Sequence, residues 1–313
     1  MDARESTEPI SLGPTDVRIS PMGVGAWAWG DRFYWGYGRT YTEDDVRGAF
    51  EASVAAGINF FDTAEVYGFG QSERLLSRAG QGAEQQIVVA SKFMPLPWRL
   101  RRGSLLRALR GSLRRLGTEQ VDLYQIHWPF PPVPIERWME ALADTVGEGL
   151  TRAVGVSNYN VEQTRRAHAA LARRGVPLAS NQVEYSLLQR EPEGSGLLET
   201  CRELGVTLIA YSPLAQGLLT GKYTPEHPPP GLRARRGRRR LAKLEPLIAR
   251  LREIGEAHGK TPAQVALNWI ICKGAVPIPG AKNARQAEEN AGALGWRLTE
   301  DEVAALDGAS YVT

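Results

Sequence analysis

The chain has 313 residues, 42% of them hydrophobic and 23% charged, and its 38 Lys and Arg against 35 Asp and Glu give a net charge of +3. This composition excludes intrinsic disorder, which requires low hydrophobicity and a strong charge bias. The 33 Gly and 20 Pro residues follow no G-x-y period, so a collagen-like chain is excluded as well. The small net charge gives no indication of a nucleic-acid partner.

The sequence also gives no indication of a membrane protein. No segment approaches the roughly 18 consecutive apolar residues of a membrane helix, and residues 1–10 are polar and acidic, unlike a signal peptide. The two cysteines, Cys201 and Cys272, are far apart in helix-like segments, which argues against a disulfide and favours small apolar core residues. We therefore expect a cytoplasmic protein without membrane association. The sequence does not indicate its oligomeric state.

Eight short apolar runs recur along the chain, with helical segments between them. Most show little polar alternation, which is typical of strands buried on both faces. The runs are Val24–Ala28, Ile58–Phe61, Ile87–Ala90, Val121–Ile126, Ala153–Val156, Asn181–Val183, Thr207–Ala210 and Ala275–Ile278. Three helix starts have a threonine N-cap and an acidic or amide residue three positions later. These pairs are Thr42 with Asp45, Thr261 with Gln264, and Thr299 with Glu302.

The alternation of strands and helices predicts an α/β protein with a closed parallel (β/α)8 TIM barrel, a single domain over residues 1–313. A doubly wound sheet is the alternative, but it requires a G-x-G-x-x-G turn after the first strand. Here the first strand leads into the bulky Trp27 and Trp29, which argues against that fold. Residues 215–240, rich in Gly, Pro and Arg, form a long loop after the seventh strand, and loops of this length are often lids or binding loops.

Polar residues follow several of the predicted strands at the end where barrel enzymes carry their active sites. Asp62, Lys92 and His127 end the second, third and fourth strands. Each of these side chains costs free energy if it is buried without a partner. We therefore expect the three to lie together and to satisfy one another.

Six segments carry a more specific pattern: FDTAEVYG at 61–68, SK at 91–92, QIHW at 125–128, GVSN at 155–158, NQV at 181–183 and PGAKN at 279–283. In order and spacing they resemble the aldo-keto reductase family, in the branch near the potassium-channel-beta-like members. The resemblance runs from about residue 23 to the end of the chain. It implies a (β/α)8 barrel, NADPH-dependent reduction of an aldehyde or ketone, and a catalytic tetrad of Asp62, Tyr67, Lys92 and His127.

The chemistry of these four residues agrees with those roles. Carbonyl reduction needs a proton for the oxygen, and Tyr67 with an ordinary pKa near 10 is a general acid only if its phenolate is stabilised. We predict that the Lys92 ammonium lowers that pKa and that Asp62 keeps Lys92 charged and in place. His127 is expected to donate a hydrogen bond that orients the carbonyl oxygen.

The PGAKN segment leads from the eighth strand into a helix, so its amides form an anion site. Lys282 adds a positive charge that favours the 2′-phosphate of NADPH; the alternative is an exposed lysine. By resemblance, Gln286, Glu289 and Asn290 contact the 2′-phosphate region and the adenine. Gln286 stands where many members of the family carry arginine.

Ser157, Asn158 and Gln182 are suited to hydrogen bonds with the nicotinamide carboxamide, and the resemblance places Tyr211 against the nicotinamide ring. The other predicted cofactor contacts lie within the first predicted strand or follow the seventh and eighth. They are Gly25, Ala26, Trp27, Ser212, Leu214, Gly217, Leu219 and Gly280. The arginine run of the long loop either clamps cofactor phosphates or forms a solvated basic edge, which is favoured for most of its members. The run comprises Arg233, Arg235, Arg236, Arg238, Arg239 and Arg240.

Trp27 and Trp128 adjoin strand ends and are the preferred walls of a substrate pocket, with residues 29–38 and Trp98 as further aromatic candidates. Packing within loops or the core is the alternative for each. The four histidines, at 127, 168, 227 and 258, lack zinc-ligand spacing, so no metal is expected. The sequence leaves two main functions as alternatives, and a barrel enzyme of unrelated chemistry is a third. One is a reductase of small carbonyl compounds, and the other is an NADP(H)-sensing regulatory subunit with little turnover.

Overall fold

The structure is a computed structural model that describes residues 7–82, 85–229 and 238–310, with only the backbone described for 238–240. Strands β1 to β10 are Ile10–Ser11, Arg18–Ile19, Val24–Gly25, Phe60–Asp62, Val88–Phe93, Val121–Ile126, Thr151–Ser157, Leu178–Glu184, Thr207–Tyr211 and Val276–Pro277. Helices α1 to α11 are Glu43–Ala55, Gln71–Ala79, Arg102–Leu116, Ile135–Gly147, Val161–Ala172, Glu191–Gly194, Leu197–Glu203, Arg238–His258, Pro262–Cys272, Ala284–Ala291 and Glu300–Ser310.

Strands β3 to β10 form one parallel sheet in which each strand pairs with its neighbour in sequence. The two edges of this sheet meet, because the Gly23 and Gly25 amides donate to the carbonyls of Pro277 and Pro279 at 3.0 and 3.1 Å. Gly25 is required here, since a Cβ at this position would lie 2.8 Å from the Ile278 carbonyl oxygen. The predicted (β/α)8 barrel is confirmed.

The barrel interior is a compact apolar cluster separate from the layer between strands and helices. Strand side chains such as Phe60, Leu123 and Ile209 fill it, and Leu12, Val17 and Ile19 of the β1–β2 hairpin cover its N-terminal end. The hairpin was not predicted, because its strands have only two residues each and no period can be read from them. Because the hairpin closes this end, the barrel is open at the C-terminal ends of the strands, where the polar residues lie.

The predicted strands and helix starts agree with the structure apart from their boundaries. The first strand ends at Gly25 rather than Ala28, because a 3-10 turn over Ala26–Ala28 bends the chain. All three capping pairs form, with the acidic or amide oxygen accepting from the threonine N–H at 2.8–2.9 Å. The predicted long loop contains a 3-10 segment, Ala215–Thr220, and ends earlier than expected, since α8 begins at Arg238.

Part of the arginine run cannot be placed. Arg233, Arg235 and Arg236 lie outside the described residues, and the side chains of residues 238–240 are also outside them. Cys201 is buried as predicted, whereas Cys272 is half-buried and lies 3.3 Å from the Asn268 amide oxygen. Within the described ranges, none of the helices combines the length and apolar character needed to cross a membrane. The assignment of residues 1–313 to one domain stays a prediction.

Candidate active site

A cavity of about 770 Å³ opens at the C-terminal ends of the barrel strands. Most of the residues predicted for catalysis, cofactor or substrate line it. They are Gly25, Trp27, Asp62, Tyr67, His127, Trp128, Ser157, Asn158, Gln182, Tyr211, Ser212, Leu214, Gly217, Gly280, Lys282, Gln286, Glu289 and Asn290. Lys92 lies beneath the floor, fully buried. Ala26 and Leu219 are also fully buried, and their side chains stand behind the wall instead of lining it.

Lys92 connects the carboxylate of Asp62 to the phenol of Tyr67. Its ammonium donates to Asp62 Oδ2 at 2.5 Å, to the Thr63 carbonyl at 2.9 Å and to the Tyr67 hydroxyl oxygen at 3.4 Å. All three ammonium hydrogens are thus engaged. Since the Tyr67 oxygen accepts from Lys92, its own hydrogen is available to a group in the cavity.

Amide side chains fix the other carboxylate oxygen of Asp62. Gln182 and Gln125 donate to Oδ1 at 2.8 and 3.4 Å. Gly155 leaves room for this polar layer, because a Cβ there would lie 2.3 Å from the hydroxyl of Ser180. Gln182 was predicted to face the nicotinamide carboxamide. Its NH2 group donates one hydrogen to Asp62, so the second hydrogen and the side-chain oxygen are the atoms that it can present.

Burial dominates the electrostatics of the floor. It raises the pKa of Tyr67 well above the ordinary value, and the nearby Asp62 carboxylate acts in the same direction. Burial also lowers the pKa of Lys92, against the opposing effect of Asp62. The effect of Lys92 on the pKa of Tyr67 stays a prediction, since burial and the Asp62 carboxylate set the direction of the net shift. In this environment Tyr67 is a phenol that keeps its proton until a base in the cavity takes it.

His127 lies edge-on to Tyr67, with the ring centroids 5.7 Å apart. Burial, with the positive charge of Lys92, lowers its pKa to about 3, so the ring is neutral near pH 7. Among the described residues, no group lies within hydrogen-bonding distance of the buried Nδ1. A bare ring nitrogen is cheaper to bury there than an N–H, so we assign the proton to Nε2.

The Ser157-Asn158 pair is held by its neighbours before any ligand binds. The Asn158 NH2 donates to the His127 carbonyl and to the Ser157 hydroxyl, both at 3.1 Å. Its side-chain oxygen accepts from the Tyr211 hydroxyl at 3.0 Å. Asn158 also has a left-handed backbone, with φ of +62°. Such a conformation in a non-glycine residue is typical of functional sites.

The PGAKN segment forms the N-terminus of α10 as expected. Asn283 caps the helix by accepting from the Gln286 amide at 3.1 Å, and Gln286 Oε1 accepts from the Lys282 amide at 3.0 Å. The Gln286 side chain can therefore present only its NH2 group to an anion. Arg285, in the first turn, also lines the cavity.

Aromatic residues form a further part of the cavity wall. Trp27 stacks on Tyr34 with centroids 5.5 Å apart and meets Trp35 edge-on at 5.4 Å. Trp128 stacks on Phe130 at 5.6 Å. Trp98, also a candidate, is 77% exposed and away from the cavity lining, and Trp29 is fully buried with its Nε1 donating to the Ala281 carbonyl.

The segment after β9 crosses toward these aromatic residues. Its residue Gln216 accepts a hydrogen bond from the Tyr34 hydroxyl at 2.6 Å, which joins the two sides of the cavity mouth. Ser212, Ala215 and Gln216 all have positive φ, between +47° and +57°. Non-glycine residues in this region are strained, and such strain is concentrated at ligand clamps.

Sequence reasoning missed several residues that line the cavity, chiefly Arg285, Lys222 and Trp35. Arg285 was within reach of prediction, since it follows the PGAKN segment in the first turn of a helix. Lys222 carries no comparable signal, because the turn that precedes it has no regular period. Trp35 was considered only as part of the aromatic segment 29–38.

Comparisons with known proteins identify the family of the chain. The family model of the Aldo/keto reductase family matches residues 21–310. The chain is 46% identical over 316 residues to a protein named Pyridoxal reductase, chloroplastic, from Arabidopsis thaliana, covering 97% of this chain and 86% of that one. This chain therefore belongs to the aldo-keto reductase family, whose members are oxidoreductases.

Solved structures show the same fold. A glycerol dehydrogenase from Gluconobacter oxydans superimposes with a TM-score of 0.83 at 29% identity, covering 96% of this chain and 94% of that one. An aldo-keto reductase from Klebsiella pneumoniae in complex with NADPH has a TM-score of 0.78 at 29% identity, with the same shares covered. The placement near the potassium-channel-beta branch and the cytoplasmic location stay predictions, and the Arabidopsis relative carries a chloroplast name.

Proposed function

We propose that the protein reduces an aldehyde or ketone to an alcohol with NADPH, and that Tyr67 is the general acid. The observation that carries this proposal is the contact of one buried ammonium, Lys92, with both Asp62 and the Tyr67 oxygen at the cavity floor. A phenol held in this way has its proton directed to the cavity and a cation beside the oxygen that loses it.

The residues divide the work between the two ends of the carbonyl bond. His127 donates from Nε2 to the carbonyl oxygen and holds it near the Tyr67 hydroxyl. When bound, NADPH supplies the hydride that the carbonyl carbon accepts. As negative charge develops on the oxygen, Tyr67 gives it a proton, and Lys92 stabilises the phenolate that remains. Burial keeps Tyr67 protonated beforehand, so the acid is present over the whole neutral range.

The cavity suits NADPH in both charge and shape. Lys282 and Arg285 give positive charge at the α10 end, where a 2′-phosphate would bind. The Tyr211 ring and the Asn158 side-chain oxygen, joined by a hydrogen bond, would take the nicotinamide and its carboxamide. Gly280 leaves an open approach, because a Cβ there would lie no closer than 3.6 Å to its nearest neighbour, the Gly25 carbonyl oxygen.

For the substrate we propose a planar aromatic aldehyde of the pyridoxal type. The walls at the substrate end are the indoles of Trp27 and Trp128, and flat rings of this kind favour an offset-stacked aromatic partner. The name of the Arabidopsis relative points to the same class. We expect kcat/KM for pyridoxal to exceed that for propanal by roughly tenfold or more, the value of one stacking contact. A preference for propanal would contradict this assignment.

The reaction is tested by following NADPH oxidation with a panel of aldehydes. The Tyr67→Phe variant removes one oxygen atom and should lower kcat by roughly 10²–10⁴-fold while the affinity for NADPH stays the same. Tyr37→Phe, a matched change outside the cavity lining, should retain wild-type turnover. Unchanged turnover in Tyr67→Phe would overturn the assigned acid. Tight NADPH binding without turnover of any aldehyde would support a sensing subunit instead.

A further inference from the structure

The ammonium of Lys282 lies between two aromatic rings at the nucleotide end of the cavity. Its Nζ is 4.7 Å from the ring centroid of Trp35 and 4.9 Å from that of Tyr41. It also donates to the Trp35 carbonyl at 3.3 Å. Both ring distances are well within the roughly 6 Å over which an aromatic face attracts a cation. We refer to Trp35 and Tyr41 together as the aromatic cage.

The cage is fixed by contacts of its own. Asp31 Oδ1 accepts from the backbone amides of Tyr34 and Trp35 at 2.7 and 2.9 Å, which sets the turn that presents Trp35. Tyr41 is 4% exposed, and its hydroxyl donates to the carbonyl of Ala28. Lys282 is thus held by rings whose positions do not depend on it.

Such a cage prepares a lysine for an anionic ligand. A lysine that moves freely loses much rotamer freedom when it binds a phosphate, and restraint before binding removes that loss. An aromatic face attracts the ammonium through its quadrupole and supplies no full negative charge. These aromatic contacts therefore hold the ammonium without neutralising its charge.

We propose that Trp35 is a specificity-determining residue that selects NADPH over NADH by holding the Lys282 ammonium at the cavity wall. This inference rests on the proposed function, in which Lys282 meets the 2′-phosphate. NADH has no 2′-phosphate, so the cage contributes to the binding of one nucleotide only. Trp35 acts through Lys282 and is a positioning residue.

The test measures dissociation constants for NADPH and NADH by nicotinamide fluorescence, which needs no turnover. Trp35→Leu should raise the NADPH constant about tenfold, because the freed lysine then loses its rotamer freedom on binding, and leave the NADH constant unchanged. Trp35→Phe keeps a ring and should restore most of the affinity. Phe33→Leu is the matched control, since Phe33 is an aromatic residue of the same loop that is 86% exposed.

A double-mutant cycle with Lys282→Met separates this role from simple packing. If Trp35 acts through Lys282, Trp35→Leu adds no further loss of NADPH affinity in the Lys282→Met background. A loss shared equally by NADPH and NADH, or full additivity with Lys282→Met, would overturn the inference. Failure of the proposed reaction would appear separately, as absence of carbonyl reduction by the wild-type protein.

Discussion

Strand β5 carries two buried ionic networks on its opposite faces. Lys92 points into the barrel and meets Asp62, whereas its neighbour Ser91 points toward the helices and donates to Glu73 at 2.6 Å. Glu73 is fully buried, and Arg115 donates to its second oxygen. Both networks satisfy their charges, but only the inner one reaches the cavity, through Tyr67. Contact with the cavity, rather than burial of charge, distinguishes the inner network from the outer one.

Lys92→Met is the strongest test of the difference between the inner and outer networks. This change removes the cation that stabilises the Tyr67 phenolate, and we expect kcat to fall by roughly 10²–10⁴-fold. NADPH affinity, measured by fluorescence, should be kept and shows that the cavity is intact. Retention of wild-type kcat in folded protein would assign Lys92 to structure alone.

Arg115→Met tests the outer network. It leaves the buried Glu73 carboxylate without its cation, and the free energy of unfolding should fall by about 3 kcal/mol. Denaturant titration measures this loss, and kcat per folded molecule should stay within about twofold of wild type because no cavity residue is touched. A large fall in kcat at unchanged stability would contradict the division between the two faces.

The buried His127 at the cavity should make the stability of the protein depend on pH. His127 has a pKa of about 3 in the folded protein against an ordinary 6.5, so between these values the unfolded chain binds more protons. Its contribution is complete above pH 6.5 and falls as the pH drops toward 3. Between pH 7.5 and pH 5 the loss is about 2 kcal/mol. His127→Gln should lack this part of the slope, and an unchanged slope would show that the imidazole is accessible to protons.

The smallest expected effect is that of Ser91→Ala. It removes the hydroxyl that donates to Glu73 and leaves one carboxylate oxygen unsatisfied, at a cost of about 1–2 kcal/mol in unfolding free energy. Thermal unfolding monitored by circular dichroism measures it. Aldehyde turnover at 25 °C should match wild type, and a fall in turnover would place the outer network within the chemistry.

The inner network was predictable from sequence, whereas the outer one was not. Asp62, Lys92 and His127 each end an apolar run, and parallel barrel strands bring such ends together. Glu73 and Arg115 lie on helices α2 and α3, where a charged residue at helical spacing looks like any solvated face. Their meeting depends on the packing of one helix against the next, which no local pattern encodes.

Among the cofactor residues, too, those in continuous motifs were predictable and those brought together from distant segments were not. The PGAKN segment and the strand-end pair Ser157-Asn158 are continuous motifs and are placed at the cavity. The aromatic cage joins Trp35 and Tyr41 to Lys282, more than 240 positions later in the chain. The period of a helix or strand carries no information about such a contact, because it forms only when the barrel closes.

The β1–β2 hairpin covers the barrel at the end away from the cavity, and its Gly13 amide donates to the Thr207 hydroxyl at 2.7 Å. Gly13 has φ of +56° and lies against the Ala179 backbone, so no other residue fits without displacing it. The hairpin and the cavity thus occupy opposite ends of the barrel strands. We expect substitutions at the two ends that share no contacts to have additive effects on stability.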